Sequence, residues 1–395
     1  MRTFAALLAL TLLCQPSSAQ DRRIDVADDA ALRRALNEAR PGARIVLAPG
    51  KYRPGLYARG LHGTADAPII LEAADPRNKP VFEGGREGLH LSACTYLTIR
   101  NIAVRGQSGN GINIDDGGAL DSPSHHITLE GLDVSDIGPR GNRDGIKLSG
   151  IDDLTVRGCT IDGWAGQGID MVGCHRVLIE SCTFRGKPGF DQGAGVQAKG
   201  GSADVIVRTC TFLNAGQRPV NAGGSTDLKV FRPQGAKYEA KNVTVEGCRF
   251  VGGATAVAFV GVDGATVRYN TIYHPDKWAF RILQETKEPS FVPCRNGRVE
   301  RNLIVFLRQD VQVAVNVGSH TDPESFQFRE NFWYCQDQPA RSRPDLPVPE
   351  RDGVYGIDPG LPSLAKGAPP AAPSAEAAKR FGADAFTTTR PPAQP

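Results

Sequence analysis

The sequence predicts an all-β chain that coils as a parallel β-solenoid. Three observations lead to this prediction. A seven-residue motif recurs nine times between residues 98 and 333, a second strand signal falls between consecutive copies, and helical periodicity is absent from this region. Repeats of this kind are typical of solenoids, in which each coil buries its apolar side against its neighbours. With 395 residues, the chain is long enough to build a large core in this way.

The motif has mostly apolar residues at its second, fifth and seventh positions and always Arg or Glu at its third. Successive copies begin 22 to 38 residues apart. The nine copies are TIRNIAV (98–104), TLEGLDV (128–134), TVRGCTI (155–161), LIESCTF (178–184), IVRTCTF (206–212), TVEGCRF (244–250), TVRYNTI (266–272), RVERNLI (298–304) and QFRENFW (327–333). This spacing suits one coil of a solenoid, because leucine-rich repeats are shorter and propellers need four strands per blade.

The fifth position of the motif predicts an inward column of small side chains. It reads Ile102, Leu132, Cys159, Cys182, Cys210, Cys248, Asn270, Asn302 and Asn331. Stacked coils place like residues above one another at roughly 4.8 Å. The cysteines then form an apolar ladder, and the asparagines form an amide ladder. We expect free, buried thiols, because stacking already holds the chain together, and disulfides between stacked cysteines are the alternative.

The second strand signal alternates at period two and mostly follows a glycine, and its outward residues predict two columns. The first column reads Asn113, Lys147, Asp170, Gln197, Asn221, Ala258 and Arg281. The second column reads Asp115, Ser149, Val172, Lys199, Gly223, Val260 and Leu283. The first is mostly charged or hydrogen-bonding, as a groove for a sugar polymer requires. The alternative is an ordinary solvated sheet face.

The ends of the repeat region predict two further elements. Residues 28–40 have the apolar spacing of an amphipathic helix, which predicts a short N-terminal capping helix over the open end of the solenoid. From Gln336 onward the chain becomes rich in Pro, Ala and Ser, which predicts a C-terminal tail that wraps the surface or is mobile. The predicted organisation is a signal peptide at 1–19, a β-helix domain with its cap at 20–335, and the Pro/Ala-rich tail at 336–395.

The N-terminus has the features of a secretory signal peptide. Arg2 precedes an apolar run at 4–14, and a small-residue pattern ends at Ala19, where we expect cleavage. A secreted or periplasmic location follows. No apolar stretch is long enough to cross a bilayer, so no membrane partner is expected. The net charge is +3, with both signs mixed along the chain, and this excludes a basic patch for nucleic acid.

The capping segment, the stretch PGARIVLAPGKY (41–52) and the nine coils resemble the right-handed parallel β-helix proteins of the pectin-lyase-like superfamily. The resemblance covers roughly residues 24–335. It implies a single-stranded right-handed parallel β-helix. The superfamily includes lyases, hydrolases, epimerases and non-catalytic proteins, so this resemblance alone leaves the function open.

A narrower resemblance connects AKGGSADVIVRTCTFLN (198–214) with polysaccharide lyase family six, the chondroitinase B and alginate lyase group. Lys199 falls on the catalytic lysine of that family. Gly223 stands where the family has a catalytic arginine, and Gln192 and Ala194 stand near its calcium-binding acidic pair. The resemblance therefore implies lysine chemistry without calcium at that place. The histidines show no metal-ligand spacing either, so no metal or cofactor is expected.

Uronate β-elimination needs a base that removes the proton next to the carboxylate and a cation that stabilises the developing charge. We predict Lys199 as the base, because neither Val172 nor Gly223 beside it offers a charge partner, and burial without one favours the neutral amine. The alternative is a lysine stem over Val172 with its head in water. Because Gly223 has no side chain that could supply this cation, Arg218 is predicted to supply it. The residues predicted to bind substrate are Lys147, Asp170, Gln197, Asn221, Arg232 and Arg281, with Arg232 and Glu239 in an insertion that walls the groove.

The predicted function is that of an exported, monomeric β-helix protein that acts on an acidic polysaccharide, with a lyase using Lys199 as the leading hypothesis. The alternatives are a non-catalytic carbohydrate-binding or surface β-helix, and a uronate epimerase, which shares the proton-abstraction step. A hydrolase needs two carboxylates at a fixed separation. Asp115 and Asp116 are adjacent and therefore face opposite sides, which leaves Asp144 and Asp170 as the pair for that chemistry.

Overall fold

The computed structural model describes residues 22–361 and 371–389, and within these ranges the chain forms the parallel β-helix that its repeats predict. Three parallel sheets, of 12, 10 and 12 strands, run along the axis of the described part. The chain adds one strand to each sheet in turn, so consecutive coils pair in register. The predicted signal peptide at 1–19 lies outside the described residues. No helix in the described ranges is long and apolar enough to span a membrane.

The strands of each sheet follow one another along the chain. Sheet 1 contains Arg22–Val26, Ala43–Leu47, Ile69–Ala73, Thr95–Arg100, Ser124–Glu130, Ile151–Arg157, His175–Glu180, Ser202–Arg208, Ala240–Glu246, Val262–Arg268, Arg295–Glu300 and Gln327–Arg329. Sheet 2 contains Leu56–Arg59, Leu89–Ser92, Ile112–Asp115, Ile146–Ser149, Gln167–Val172, Ala194–Lys199, Arg218–Gly223, Thr255–Val260, Trp278–Leu283 and Val315–Val317. Sheet 3 contains Lys51–Tyr52, Val81–Glu83, Ala103–Arg105, Asp133–Ile137, Thr160–Trp164, Thr183–Arg185, Thr211–Leu213, Arg249–Val251, Thr271–Tyr273, Leu303–Phe306, Phe332–Cys335 and Val354–Tyr355. The α-helices are Asp29–Glu38 and Gly382–Thr389, and the 3₁₀ helices are Leu228–Val230, Pro323–Ser325, Pro339–Arg341 and Glu376–Ala378.

Each copy of the seven-residue motif spans the corner between sheet 1 and sheet 3 rather than a single strand. The fourth residue of every copy has a left-handed backbone, with φ between 51° and 61°. These residues are Asn101, Gly131, Gly158, Ser181, Thr209, Gly247, Tyr269, Arg301 and Glu330. A single left-handed residue turns the chain sharply between two strands. The turn resets the alternation, and the fifth side chain consequently points into the core.

The cysteines at the fifth position form the predicted inward ladder. Cys159, Cys182, Cys210 and Cys248 are at most 1% exposed, and all four thiols are free. Burial raises the pKa of the Cys210 thiol well above its ordinary value. Protonated, buried thiols are inert toward oxidation and alkylation. The prediction of free, buried thiols is confirmed for these residues.

The asparagines continue the ladder as a chain of amide hydrogen bonds. Asn270 donates from Nδ2 to Oδ1 of Asn302 at 3.0 Å, and Asn302 donates in the same way to Asn331 at 2.9 Å. Glu350, from the C-terminal tail, accepts from Nδ2 of Asn331 at 2.8 Å and ends the chain. The predicted amide ladder is therefore confirmed, and the tail supplies its last acceptor.

Replacing Asn302 by Ala is expected to lower the free energy of unfolding by about 2 kcal/mol. The substitution leaves the Asn270 amide N–H and the Val267 carbonyl without their partners in a core that excludes water. Denaturant unfolding followed by circular dichroism measures the loss. Asn78→Ala, at an exposed position, is the control and should change stability by less than about 0.5 kcal/mol. Equal midpoints for the two variants would contradict a role for the ladder.

The third position of the motif forms a ladder of alternating charge on the outer face of sheet 1. In order along the stack, the residues are Arg100, Glu130, Arg157, Glu180, Arg208, Glu246, Arg268, Glu300 and Arg329. Representative contacts are 2.8 Å between Arg208 and Glu180 and 2.7 Å between Arg268 and Glu246. Each exposed pair contributes at most about 1 kcal/mol, but the order gives every coil neighbours of opposite charge.

Both ends of the solenoid are covered. The helix Asp29–Glu38 forms at the N-terminal end as predicted, where the Asp28 side chain caps it by accepting from the Ala31 amide at 2.8 Å. This helix buries three apolar residues, Leu32, Ala35 and Leu36. At the other end, the strand Val354–Tyr355 extends sheet 3, and Phe381 packs on the outer face of that sheet against Leu303 and Phe332. The described parts of the tail therefore pack against the coils.

Candidate active site

The outer face of sheet 2 carries the first predicted column in register. Neighbouring strands pair Asn113 with Lys147, and successive pairings run through Asp170, Gln197, Asn221 and Ala258 to Arg281. The prediction that these side chains leave one sheet on one side is confirmed. The same register extends the column to His90 and Tyr57 in one direction and to Asn316 in the other.

Glycines at the start of the sheet 2 strands explain why the second strand signal follows a glycine. A Cβ atom on Gly145 would lie 2.6 Å from the carbonyl oxygen of Gly168 on the next coil, and one on Gly168 would lie 2.6 Å from that of Gly195. No side chain fits at this separation, so the coils approach closely only with glycine here. These glycines therefore allow the tight stacking of the strands that carry the site.

The centre of the column is a cluster of two lysines and two aspartates. The Asp170 carboxylate, which is completely buried, contacts Nζ of Lys147 and lies 3.5 Å from Nζ of Lys199. The Asp144 carboxylate is 1% exposed and lies 3.7 Å from the same Lys147 ammonium. The two lysine side chains are 20% and 16% exposed. The surface of the cluster is therefore cationic, and its carboxylates lie beneath.

The prediction that Lys199 has no charge partner is wrong. Val172 does precede it in its own column, but the lysine side chain is long enough to reach diagonally to Asp170 on the preceding coil. Its ammonium also donates to Oε1 of Gln197 at 3.3 Å. Lys199 is thus held by two neighbours. It faces the outward column from Asn113 to Arg281, which forms a polar strip on sheet 2.

Burial and charge act together on the groups around Lys147. Burial alone would lower the pKa of Lys147, but the charges of Asp170 and Asp144 outweigh it and hold that pKa above its ordinary value. Lys147 therefore remains an ammonium. Burial, reinforced by the charge of Asp170, raises the pKa of Asp144 to about 6 against the opposing charge of Lys147.

The stability of the protein is expected to fall as the pH rises from about 4 to about 6, because of Asp144. The pKa of Asp144 is about 6 in the folded protein, against 3.8 for a free side chain, so the folded state binds the proton more tightly. Its full ionisation then costs up to roughly 3 kcal/mol. Asp144→Asn should remove this slope and raise stability above pH 6, as measured by urea unfolding at several pH values. Asp66→Asn, at an exposed position, should keep the wild-type slope, and the same slope in Asp144→Asn would contradict the assignment.

Buried acceptors along the strip lack partners. Oδ1 of Asp170, Oδ1 of Asn221 and Oε1 of Gln167 make no hydrogen bond to any described residue. A buried polar atom without a partner costs roughly 1–3 kcal/mol. Buried water molecules are the usual partners of such acceptors.

The predicted wall is present in the structure, but Arg232 has a different role from the one predicted. Arg232 is only 8% exposed and binds Asp116 through two hydrogen bonds, Nε to Oδ2 at 2.5 Å and Nη2 to Oδ1 at 3.0 Å. Its guanidinium therefore anchors the insertion to an earlier coil instead of binding substrate. The buried carboxylate of Glu239 accepts from the amide of Gly200 at 2.9 Å and from Oγ1 of Thr226 at 2.8 Å. Glu239 thus fixes the turn that follows Lys199 to the wall.

The prediction that Arg218 and Lys199 share one substrate carboxylate is also wrong. Arg218 is the first residue of its strand and pairs with Ala194, five residues before Lys199, so the two backbones lie roughly 16 Å apart along the sheet. The Arg218 guanidinium instead binds Glu285 at 2.7 Å. The cation that does lie beside Lys199 is Lys147, across Asp170.

Other groups complete the strip. Gln197 donates to the carbonyl of Gly223 at 3.2 Å and forms part of its floor. His90 contacts Asp115 at 2.7 Å, a pair that the sequence reasoning missed although GLHLS (88–92) alternates like the other segments.

Asp144 and Asp170 do come together, but their burial keeps both carboxylates away from a substrate. This disfavours the hydrolase alternative.

The middle of the strip is buried, since Gln197, Asn221 and Ala258 are at most 6% exposed, and its partly exposed cations are Lys147, Lys199 and Arg281. A cavity of about 590 Å³ lies at the C-terminal end, where Phe306, Val315 and Arg341 line it. None of the lysines or aspartates of the cluster lines that cavity. Cations spaced along stacked strands in this way suit a chain-like ligand better than a small compact one.

Comparisons with known proteins agree with this architecture. A family model described as "Right handed beta helix region" matches residues 87–231 and 123–273. No curated protein sequence matches the chain. Similar solved structures include an alginate lyase from Paenibacillus sp. str. FPU-7, with 19% identity over 76% of this chain and 97% of that chain and a TM-score of 0.52. A rhamnogalacturonan lyase is similar with 13% identity over 93% of this chain and 98% of that chain and a TM-score of 0.53. Pectate lyase Pel9A is also similar, with 16% identity over 77% of this chain and 79% of that chain and a TM-score of 0.50. At such identities the likeness concerns the fold, and that fold is a right-handed parallel β-helix.

Proposed function

We propose that this protein binds an acidic polysaccharide along the outer face of sheet 2 and cleaves it by β-elimination, with Lys199 as the base. The observation that carries the proposal is the pair of lysine ammoniums, Lys147 and Lys199, which face solvent over one buried carboxylate in a strip of hydrogen-bonding side chains. A polyanion needs cations at the surface, and the two partly exposed lysines supply them. The lyase names of the similar structures are consistent with this class of substrate.

Lys147 takes the cationic role that the sequence suggested for Arg218. Asp170 and Asp144 hold it as an ammonium, so it is suited to bind the carboxylate of a uronate. Since Lys147 and Lys199 both pair with Asp170, the two lysines would contact the same part of a bound chain. A fixed positive charge at this carboxylate stabilises the enediolate-like state more than the ground state, which is what lowers the barrier.

The proposed step balances without a metal or a redox partner. Once the ammonium of Lys199 has released a proton to solvent, its amine takes the proton from the carbon next to the uronate carboxylate. The electron pair of that C–H bond forms a carbon–carbon double bond, and the bond to the neighbouring glycosidic oxygen breaks. The oxygen leaves with its electron pair and takes a proton from water. Lys199 returns its proton to solvent, and the product carries an unsaturated uronate end.

A screen of uronate polymers tests the proposal. Alginate, polygalacturonate and rhamnogalacturonan are incubated with the protein, and ultraviolet absorbance reports the unsaturated product. We expect a rise with at least one polymer, which Lys199→Ala abolishes and Lys241→Ala, on the outer face of sheet 1, preserves. New reducing ends without absorbance would indicate a hydrolase, and a saturated product of altered configuration would indicate an epimerase. Binding without any turnover would leave the non-catalytic alternative.

A further inference from the structure

A second cationic site lies on the same face, at the C-terminal end of the strip. Arg281 follows Gln197 by three coils, which is roughly 14 Å at the spacing of stacked strands. Its guanidinium lies 4.2 Å from the ring centroid of Trp278, and its Nε donates to Oδ1 of Asn316 at 3.1 Å. The two contacts fix the plane of the guanidinium. Among the described residues, its two Nη groups have no hydrogen-bond acceptor.

Like charges are gathered around this guanidinium. Lys277 places its ammonium 4.4 Å from the same Trp278 ring. Arg218, bound to Glu285, is close enough that its charge, added to the effect of burial, lowers the pKa of Arg281. Arg218 and Arg281 therefore share a single carboxylate, that of Glu285. The mutual repulsion of Arg218 and Arg281 is unfavourable in the free protein, and a bound anion would relieve it.

We propose that Arg281, with Trp278 and Arg218, forms a second subsite that binds another carboxylate of the same polyuronate chain. The free Nη pair of Arg281 has the geometry for two parallel hydrogen bonds to a carboxylate. This inference rests on the proposed function for the direction of the bound chain, along the strip from Lys147 to Arg281.

The spacing of the two sites defines the substrate more narrowly. Lys147, which would bind the first carboxylate, lies five coils or roughly 24 Å from Arg281, beyond the reach of one sugar ring, so both sites are occupied only by an oligomer. Because each site needs a carboxylate, the preferred substrate is a run of uronates rather than a chain with isolated acidic residues. The second site then contributes to affinity for long chains and leaves short ones unaffected.

Binding of short and long oligomers tests this subsite. Calorimetry is performed with a disaccharide and with a long oligomer of galacturonate and of mannuronate, in the Lys199→Ala background so that turnover does not interfere. Adding Arg281→Ala should weaken binding of the long oligomer by at least about tenfold and leave the disaccharide unchanged. Arg281→Lys, which keeps the charge without the paired donors, should give an intermediate loss. Arg298→Ala, exposed on sheet 1, is the matched control and should bind like the Lys199→Ala parent.

The outcomes separate this subsite from the proposed reaction. Equal affinity of Arg281→Ala and the Lys199→Ala parent for the long oligomer would overturn the subsite, whatever the activity of the wild type. A selective loss for the long oligomer, in a protein that cleaves no polymer, would support the subsite while the proposed lyase function failed. Equal weakening of short and long oligomers would also contradict the subsite, since it would place Arg281 at the first carboxylate.

Discussion

Lys199→Ala is expected to lower the rate of polysaccharide cleavage by roughly 10²–10⁴-fold, the usual contribution of a general base. The lysine lies at the surface of the cluster, 3.5 Å from Asp170, and no other described amine shares its position beside Lys147. Lys199→Arg should be nearly as damaging, because a guanidinium stays protonated and cannot accept the proton. The measurement is the initial rate of formation of unsaturated product under saturating polymer.

The fold of both variants is checked by circular dichroism and thermal unfolding. Lys199 is partly exposed and its stem fills no part of the core, so the melting temperature should change little. Cleavage by Lys199→Ala at the wild-type rate would exclude this residue as the base. A large drop in melting temperature would instead mean that the variant loses activity through unfolding, and Lys199→Gln would then replace it.

Asp170→Asn is expected to destabilise the protein by about 4 kcal/mol, a loss typical of a buried ion pair deprived of one partner. Asp170 is completely buried and is the carboxylate shared by Lys147 and Lys199. Without its charge, two partly buried ammoniums lie close together with Asp144 as their remaining anion. Urea unfolding at neutral pH measures the loss.

A second substitution distinguishes charge from packing at this position. Adding Lys147→Met to Asp170→Asn removes one of the uncompensated ammoniums, and much of the lost stability should return. Asp162→Asn is the control, because its pair with Arg185 is exposed and contributes less than about 1 kcal/mol. A loss of similar size for Asp170→Asn and Asp162→Asn would show that solvent, rather than Asp170, compensates the two lysines.

The columns of the β-helix were predictable because stacking turns sequence position into spatial position. Once the coils are aligned, period two decides which side chains leave the sheet, and Lys147, Asp170 and Gln197 fall into line. The amide ladder follows from the same logic, since Asn270 and Asn302 occupy equivalent positions on successive coils. These relations are local to a pair of neighbouring coils.

The errors arose where contacts cross columns or coils. Lys199 pairs with Asp170, which lies diagonally from it on the neighbouring strand, and the length of the side chain rather than the register decides such a contact. The anchor of Arg232 is Asp116, 116 residues earlier, because the insertion folds back along the stack. Arg218 begins the strand next to that of Lys199, at the opposite strand end, so the two side chains do not meet. No spacing within a single coil contains this information.

The alternating ladder on sheet 1 restricts how such a chain can change its length. If the coil that carries Glu180 were deleted, Arg157 would stack directly against Arg208, and two like charges would face each other. If the coils of Glu180 and Arg208 were deleted together, Arg157 would meet Glu246 and the alternation would be intact. The same parity applies to duplication. Coils should therefore be gained and lost in pairs. A duplication or deletion that keeps the charge alternation involves two coils, although the structural repeat of the solenoid is one coil.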